Sequence, residues 1–493
     1  MLSRRDAIKL GSAAGAALIF PTKQLASALS DDPSELPPFS VPLSLPPVLK
    51  PTRRTGDTDF YDMRIAESEH EILPGIRTRA LTFNGGFPGP TLRAHRGRAV
   101  VIRQVNDMAS PATVHLHGAN VPASSDGHPM DPIAPGQSRV YRYPNDQPAA
   151  TLWYHDHTHH LEGEQVYRGL SGAYLLSDPV DALLPFPSGE FDVPLLLRDA
   201  KLNGDGQLVF VNDDFMNRPT ILVNGRPQPY FEVKRRLYRL RLINVSNLEV
   251  FKFQLSNGAR FLQIASDGGF LRVPAVRQEI DLWPAERAEV LVDFRSVPAG
   301  TAIALQNVVA LSENKRDILQ FRIGGGASSS KPELAIPGWT GVRPPSAQAG
   351  IPGWPTRNPP RERVARRRRF VLRFDPATGE FLINDQGFDP NRVDARIDHG
   401  ATEIWEIVNG DAAFGITHTM HLHLVQFRVL DRNGKPEPGH DAYPKDTVRL
   451  NPGDVVRIEA TLDTHTGRYP FHCHFLDHAT HSMMGQFEVV PRG

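Results

Sequence analysis

A short segment near the end of the chain collects the donor side chains of a metal site. It holds the only cysteine of the sequence, Cys473, between His472 and His474, and His478 and Met483 follow five and ten residues after the cysteine. One cysteine and two histidines in a plane, with a weak axial methionine, are the ligands of a copper electron-transfer site. Cys473, His478 and Met483 supply three of these ligands, so the second planar histidine must come from another part of the chain.

Histidines elsewhere recur in pairs separated by one residue. The chain has 19 histidines among 493 residues, and random placement would give fewer than one such pair. Five occur: His115/His117, His155/His157, His157/His159, His421/His423 and His472/His474. Alternate side chains of a β-strand share one face, so each pair on a strand presents two imidazoles to one side. The β-branched and aromatic residues of segments 112–118 and 151–157 favour strands there.

The same alternation gives the cysteine segment a specific geometry. His472 and His474 would face one way while Cys473 faces the other. One strand would then join a mononuclear copper to a metal cluster, through the cysteine sulfur and two short backbone segments. His418 lies three residues before His421 and can face away from the cluster, which makes it the candidate for the missing planar ligand.

These motifs resemble those of multicopper oxidases, in the branch of bacterial spore-coat laccases, bilirubin oxidases and phenoxazinone synthases. The resemblance covers the chain from about Phe83 to Val490 and rests on four motifs. They are His-Leu-His-Gly (115–118), Trp-Tyr-His-Asp-His (153–157), His-x-x-His-x-His (418–423) and His-Cys-His-x-x-x-His-x-x-x-x-Met (472–483).

The resemblance implies four copper ions and a ligand set for each. The type 1 copper would take His418, Cys473, His478 and axial Met483, with Met484 as the rival axial ligand. The type 2 copper would take His115 and His421. The type 3 pair would take His117, His155, His157, His423, His472 and His474. The additional histidines His159, His160 and His481 are interpreted as neighbours of the ligands or surface residues rather than as a fifth copper site.

Acidic residues are expected to supply protons to dioxygen. Asp126 matches the family's acid near the cluster, and the alternative is that it only begins a turn before Gly127. Relatives commonly carry a glutamate directly after the second type 1 histidine, where this chain has Ala479. Hypothetical substitutes for that glutamate are Asp477, Glu162 and Glu164.

The implied reaction is laccase-like. One-electron oxidation of phenolic or other aromatic reductants at the type 1 copper would be coupled to four-electron reduction of O2 to water. Electrons would enter through His478 and pass through Cys473. The alternative is a metallo-oxidase acting on Cu(I), Fe(II) or Mn(II). Copper-efflux oxidases carry a Met-rich insert, whereas this chain has only eight Met.

Ile416 replaces a tryptophan of some bilirubin oxidases, which argues against bilirubin as natural substrate. A non-enzymatic scaffold would be expected to have lost ligands, and all are retained here.

Internal repeats predict how these motifs are positioned. Strand-like segments recur at 96–106, 235–244 and 400–409, and a second set recurs at 134–143, 283–292 and 451–460. Alternating strands between Gly and Pro turns predict an all-β protein of three cupredoxin-like, Greek-key β-sandwich domains. The middle copy has no histidine, so the cluster is predicted to lie between domains 1 and 3 and the middle domain to act as a spacer.

The expected divisions follow from these repeats and from composition. They are an export signal (1–28), a first domain with cluster ligands (29–180), a second domain without copper ligands (181–325), a Pro/Gly-rich linker (326–366) and a third domain with type 1 and cluster ligands (367–493). The net charge is zero at pH 7, which gives no indication of a nucleic-acid partner.

The amino-terminal segment predicts export. Arg4 and Arg5 precede an apolar run that is too short to span a bilayer, and Ala26-Ser27-Ala28 follows it. This pattern is typical of a signal read by the twin-arginine export machinery. It predicts a periplasmic or otherwise exported protein without stable membrane insertion, and it leaves cleavage of the signal open.

Overall fold

The computed structural model describes residues 36–492, apart from 180, 182–183, 185, 215–216 and 326–363. The predicted export signal lies outside the described residues, as does most of the predicted linker. Strands make up the greater part of the regular structure, as the repeats predicted.

The first third of the described chain forms two sheets around one core. Its strands are β1 (Arg53–Arg54), β2 (Thr58–His70), β3 (Thr78–Phe83), β4 (Gly89–His95), β5 (Ala99–Asn106), β6 (Val114–His117), β7 (Ser138–Tyr143), β8 (Ala150–Asp156) and β9 (Ser171–Ser177). One sheet has the order β1-β2-β5-β7 with β3 paired to β2, and the other has the order β4-β9-β8-β6. Helix α1 (Glu162–Tyr167) and a 3-10 helix (Ala123–Ser125) lie between strands.

The middle third repeats the two-sheet arrangement. Its strands are β10 (Asp192–Ala200), β11 (Thr220–Val223), β12 (Arg226–Pro227), β13 (Tyr230–Val233), β14 (Leu237–Asn244), β15 (Phe251–Leu255), β16 (Phe261–Ser266), β17 (Gly269–Arg277), β18 (Ile280–Leu282), β19 (Arg287–Asp293), β20 (Ala302–Asn307) and β21 (Asp317–Ile323). The sheet orders are β12-β11-β10-β14-β19-β16-β17 and β13-β21-β20-β15-β18. The described residues of this third also form two 3-10 helices, Gly189–Phe191 and Glu313–Lys315.

The last third carries the cysteine segment. Its strands are β22 (Val364–Asp375), β23 (Glu380–Ile383), β24 (Ala395–Asp398), β25 (Ala401–Asn409), β26 (His418–Leu422), β27 (Arg428–Arg432), β28 (Lys435–Pro436), β29 (Thr447–Leu450), β30 (Val455–Leu462), β31 (Gly467–Cys473) and β32 (Met484–Val490), with helices α2 (Gly439–Ala442) and α3 (Leu476–Thr480). The sheet orders are β23-β22-β25-β30-β27-β28 and β24-β32-β31-β26-β29. Strand β22 begins three residues before the predicted start of the third domain at 367.

The sequence repeats correspond to one structural unit that occurs three times. The repeated strands pair antiparallel as β5 with β7, β14 with β19 and β25 with β30. In each case the first strand of the pair also lies parallel to an earlier strand, namely β2, β10 or β22. The all-β fold with three cupredoxin-like sandwiches is therefore confirmed.

A shared asparagine explains why the three repeats end alike. Strands β5, β14 and β25 end at Asn106, Asn244 and Asn409. Each side-chain amide donates to two backbone carbonyls farther along the chain, and each side-chain oxygen accepts the N–H two residues on. Such a local hydrogen bond turns the chain out of the strand. The asparagine is thus a structural part of the repeat.

No helix of the described residues is both long enough and apolar enough to cross a membrane. Four consecutive arginines, 366–369, lie inside β22, and Arg368 pairs with Glu403 of the neighbouring strand at 2.6 Å. The other three arginines are exposed.

Candidate metal centre

Two pairs of neighbouring strands bring the histidine pairs into register. In domain 1, His115 of β6 lies directly opposite His155 of β8. In domain 3, His421 of β26 lies directly opposite His472 of β31. Directly opposite residues of an antiparallel pair share a face of the sheet, so each domain presents four histidines on one face.

The residues between the paired histidines face the opposite way. Leu116 belongs to the core of domain 1 and Leu422 to the core of domain 3, and both are 1% exposed. Cys473 belongs to the same core as Leu422 and lies opposite Met420. The alternation predicted for the segment 472–474 is therefore present in the structure.

The two histidine faces meet between domains 1 and 3. The rings of His117 and His421 stack with their centroids 3.7 Å apart, and those of His115 and His423 lie 3.8 Å apart. The Nε2 atoms of His157 and His472 are 3.1 Å apart. Neither domain alone can form this group of eight imidazoles, because each contributes four.

Hydrogen bonds orient the rings and leave one nitrogen of most rings free. The Nδ1 atoms of four histidines lie 2.6–2.9 Å from backbone carbonyl oxygens, which fixes the proton on Nδ1: His115, His155, His421 and His472. Buried ring nitrogens without a hydrogen-bond partner include Nε2 of His115, His155 and His421 and Nδ1 of His117 and His157. Neutral imidazoles with one nitrogen fixed and the other free and converging are arranged as metal ligands.

Burial keeps these imidazoles neutral. Desolvation lowers the pKa of all eight cluster histidines, to about 3 for His155 and about 4 for His472. A neutral imidazole is the form that binds a metal, so no proton has to be displaced from the free nitrogens. The donor set fits copper, for which imidazole is a suitable ligand.

A second donor group lies on the other face of β31. The Nδ1 atoms of His418 and His478 are 3.2 Å apart, and Cys473 Sγ lies 3.6 Å from the first and 3.7 Å from the second. The three donors form a nearly equilateral triangle, which fits the trigonal plane of a mononuclear copper site. Burial raises the pKa of the Cys473 thiol to about 12, and a bound cation would favour the thiolate.

The structure distinguishes the two neighbouring methionines. Met483 belongs to the same core as Cys473, and its backbone oxygen accepts the Cys473 N–H at 3.1 Å. Met484 lies opposite His472 across β31 and β32 and is absent from that core. Met483 is therefore on the cysteine side of the strand.

His478 is the most exposed of the predicted histidine ligands. It is 7% exposed, whereas the other nine predicted histidine ligands are at most 1% exposed. Its ring stacks on Phe381 at 3.9 Å and on Phe475 at 5.3 Å. This position is suited to exchange of electrons with a molecule at the surface.

Asp126 contacts two of the predicted cluster histidines, His115 and His423. Its backbone oxygen lies 2.6 Å from His115 Nδ1, and its Oδ2 lies 2.9 Å from His423 Nδ1. The other carboxylate oxygen is buried without a partner, and burial raises the pKa of Asp126 well above its ordinary value. A carboxyl group in this position can hold a proton beside the cluster.

Two further acids that sequence reasoning missed position the predicted ligands. Asp411 Oδ2 lies 2.8 Å from His418 Nε2, and its two oxygens accept the backbone N–H of Phe374. Asp446 Oδ1 lies 3.1 Å from His117 Nε2, and the Asp446 backbone oxygen lies 2.9 Å from His421 Nδ1. Such carboxylate–histidine contacts orient the ring of a metal ligand.

Asp446 is held by a residue of the middle domain. Arg287 donates to its two carboxylate oxygens at 2.7 and 2.6 Å. The side chains of this region are fully buried or nearly so: Arg287, Asp446, Asp267 and His117. Asp267 in turn pairs with Lys445 at 2.8 Å. The middle domain, predicted to be a spacer, thus supports a cluster histidine without providing a ligand.

Arg287 also explains the glycine that ends the first histidine motif. Gly118 has φ +82°, and a side-chain carbon at this position would collide with the Arg287 guanidinium and the Asp446 carboxylate. Only glycine satisfies both constraints.

The additional histidines lie apart from both groups. The rings of His159 and His160 are 3.7 Å apart, and His160 is exposed. His481 is 41% exposed and lies 3.6 Å from an Asp213 oxygen. Within the part of the chain that the structure describes, none of the three belongs to a group of three converging metal-binding atoms.

These observations define a class of protein. The framework is that of a copper-dependent oxidase. It consists of three cupredoxin-like domains, eight converging imidazoles, and a Cys-His-His triangle whose cysteine is adjacent in sequence to two of those histidines. Sequence profiles of the multicopper oxidase family match residues 64–181, 201–313 and 357–493.

Known proteins agree with this assignment. The chain is 33% identical to a laccase of Bacillus subtilis (strain 168) over 91% of this chain and 98% of the relative. The crystal structure of a laccase from Pediococcus acidilactici has a TM-score of 0.82 and 30% identity, covering 92% of this chain and 94% of that one. A Campylobacter jejuni multicopper oxidase, described as a metallo-oxidase, has a TM-score of 0.78 and 25% identity, covering 94% and 97%.

The chain belongs to the multicopper oxidase family. It is a laccase-like copper oxidoreductase with oxygen as the acceptor, as the motifs predicted.

Proposed function

We propose that the chain binds four copper ions through the ligands predicted from the motifs. The type 1 ion would be held by His418, Cys473, His478 and Met483, and the type 2 ion by His115 and His421. The type 3 pair would be held by His117, His155, His157, His423, His472 and His474. The observation that carries this proposal is the division of one strand, with Cys473 on one face and His472 and His474 on the other.

Bound copper would supply the one-electron redox chemistry that side chains lack, for the reductant at one site and for dioxygen at the cluster. The chain provides the path between the two sites. His478 is 7% exposed, and Cys473 connects its sulfur through the backbone to both neighbouring histidines. The rings of Phe381 and Phe475 stack on the His478 ring and hold its orientation.

Asp126 is proposed to relay protons at the cluster. Its support is the free, buried carboxylate oxygen beside His115 and His423. An Asp126→Asn variant keeps the shape but removes the acidic proton, so oxygen reduction should slow and its pH profile should change. An unchanged rate and profile would contradict the relay.

We propose phenols and similar aromatic molecules as reductants. Support comes from the laccases among the relatives and from the aromatic surroundings of His478. A metallo-oxidase is the second candidate, because a structural neighbour is described by that activity. Oxygen uptake with a phenol, an aromatic diamine, bilirubin, Cu(I), Fe(II) and Mn(II) would separate the two, and a preference for a metal ion by orders of magnitude would favour the second.

Export through the twin-arginine machinery to the periplasm or beyond is also proposed, on the pattern at residues 1–28. Replacing Arg4 and Arg5 by lysine should retain the protein in the cytoplasm, and unchanged export would contradict it.

The central test of the copper assignment is Cys473→Ser. This variant should lose the intense blue absorption and the oxidase activity while the cluster retains its copper, measured by metal analysis. Aerobic turnover that survives the substitution would refute the proposed electron path.

A further inference from the structure

One buried acid is not used by the mechanism described so far. Glu162 opens α1, five residues after His157, and it is fully buried. Both of its carboxyl oxygens are buried and neither has a hydrogen-bond partner among the described residues. An ionised carboxylate in such a place would be strongly unfavourable, so the group requires a different explanation from that of a structural ion pair.

The position of Glu162 is set by two helices. The Gly163 N–H lies 3.2 Å from Thr480 Oγ1, so α1 packs on α3, the helix that carries His478. Asn247 bridges the same helices by donating to Gly163 O and to Asp477 Oδ1, each at 2.8 Å. Glu162 therefore lies between the chain segment that leaves His157 and the helix that follows the cysteine strand.

Glu162 is a neutral acid in this environment. Burial raises its pKa to about 8, and the nearby Asp156 adds to the rise. The N–H groups of Glu162 and Leu161 oppose the rise through their charge, but both donate their hydrogen bonds to the Thr158 backbone oxygen and leave the carboxyl without a partner. A protonated carboxyl is both a hydrogen-bond donor and a source of a proton at neutral pH.

The other two acids considered as proton donors from the sequence, Asp477 and Glu164, are committed to ion pairs. Asp477 accepts from Arg218 at 2.6 Å, from the Asp213 N–H at 2.7 Å and from Asn247. Glu164 is 44% exposed and pairs with Arg168 at 2.6 Å. Ala479 on the facing helix is fully buried and offers no polar side chain. Of the three acids considered as proton donors from the sequence, only Glu162 is both buried and without a hydrogen-bond partner among the described residues.

We propose that Glu162 supplies protons for the reduction of dioxygen to water, in place of an acid on α3. This rests on the proposed function of the cluster. Four one-electron oxidations of the reductant supply four electrons, and four protons complete the conversion of O2 to two waters. In each transfer the Glu162 O–H bond breaks, and the carboxylate then takes a proton that originates in bulk water, so the acid is regenerated.

The test separates the two halves of the reaction. Glu162→Gln is neutral and of nearly the same shape as the protonated acid, so it should fold and bind copper. Anaerobic stopped-flow reduction of the type 1 site should keep its rate. Reoxidation of the fully reduced enzyme by O2 should slow on the order of 100-fold, the lower range for loss of a general acid, with a changed solvent isotope effect.

Glu164→Gln is the matched control, because it removes the same group from the same helix at an exposed position. It should leave both half-reactions unchanged. Glu162→Met is a second variant, because its apolar side chain is compatible with a buried site and cannot donate a proton. Reoxidation at the wild-type rate in either folded, copper-loaded Glu162 variant would overturn the proposal.

Failure of the proposed function would look different. A wild-type protein without blue absorption or oxygen uptake would refute the copper assignment itself. A blue, active wild type with fully active Glu162 variants would refute only the role of Glu162.

Discussion

Replacing Arg287 by methionine tests whether the middle domain supports the cluster. The guanidinium makes five hydrogen bonds that join three domains. Its acceptors are the two oxygens of Asp446 and the backbone oxygens of Thr151, Ala285 and Asp267. Methionine fills much of the same volume but can make none of these bonds. Asp446 would then be a buried carboxylate without its cation.

The size of the effect follows from the burial of the pair. Arg287 is 1% exposed and Asp446 is fully buried. Removing one partner of a buried ion pair typically destabilises a protein by about 3–5 kcal/mol. The His117 ring also loses a fixed acceptor, and loss of such support typically lowers metal affinity about 10- to 100-fold.

Two measurements check this prediction. Urea unfolding of the copper-free protein, followed by tryptophan fluorescence and by circular dichroism, gives the change in free energy if the two transitions coincide. Metal analysis of the copper-loaded variant should show a lower content of type 2 and type 3 copper. Electron paramagnetic resonance should show an intact type 1 signal.

Arg241→Met is the matched control. Arg241 is also buried and paired, with Asp192 at 2.6 Å and Glu289 at 2.9 Å, but none of its hydrogen bonds is to Asp446 or to a histidine. It should lower stability to a similar extent and leave the copper content unchanged. Full cluster occupancy in Arg287→Met, or a stability change below about 1 kcal/mol, would refute the reasoning.

Two other outcomes follow from buried acids. Asp411→Asn should raise the reduction potential of the type 1 site, because the negative carboxylate near His418 Nε2 stabilises Cu(II) relative to Cu(I). A redox titration measures the potential, and an unchanged or lower value would contradict the prediction. For Glu162, the pKa rises from 4.5 to about 8 on folding, so the folded state holds a proton that the unfolded state has lost at intermediate pH. The unfolding free energy of the copper-free wild type should therefore decrease, relative to Glu162→Gln, by about 1.4 kcal/mol per pH unit between these values. Parallel pH profiles of the two proteins would show that Glu162 titrates normally.

The shared faces of the histidine pairs were predictable because strand alternation is a local property. A histidine at i and another at i+2 share a face whatever the rest of the chain does, and the cysteine between His472 and His474 must face the other way. The same holds for the repeated strands, whose closing asparagines make the same local hydrogen bonds in each copy.

The supporting residues were not predictable because their partners are remote in sequence. Arg287 and Asp446 are 159 residues apart and lie in different domains. Arg287 was visible only as part of the repeated segment 283–292, which predicted a strand and no function. Glu162 could be named as one of three acids, but its isolation depends on a helix that begins more than 300 residues later.

The sharing of eight imidazoles between the first and last domains has a consequence for biosynthesis. A chain still emerging from the ribosome has only half of the donors that the proposed oxygen-reducing centre needs, so it cannot assemble that centre before its final strands are made. Completion of the chain is therefore a precondition for reactivity, and an unfinished polypeptide is protected from releasing partly reduced oxygen species beside itself.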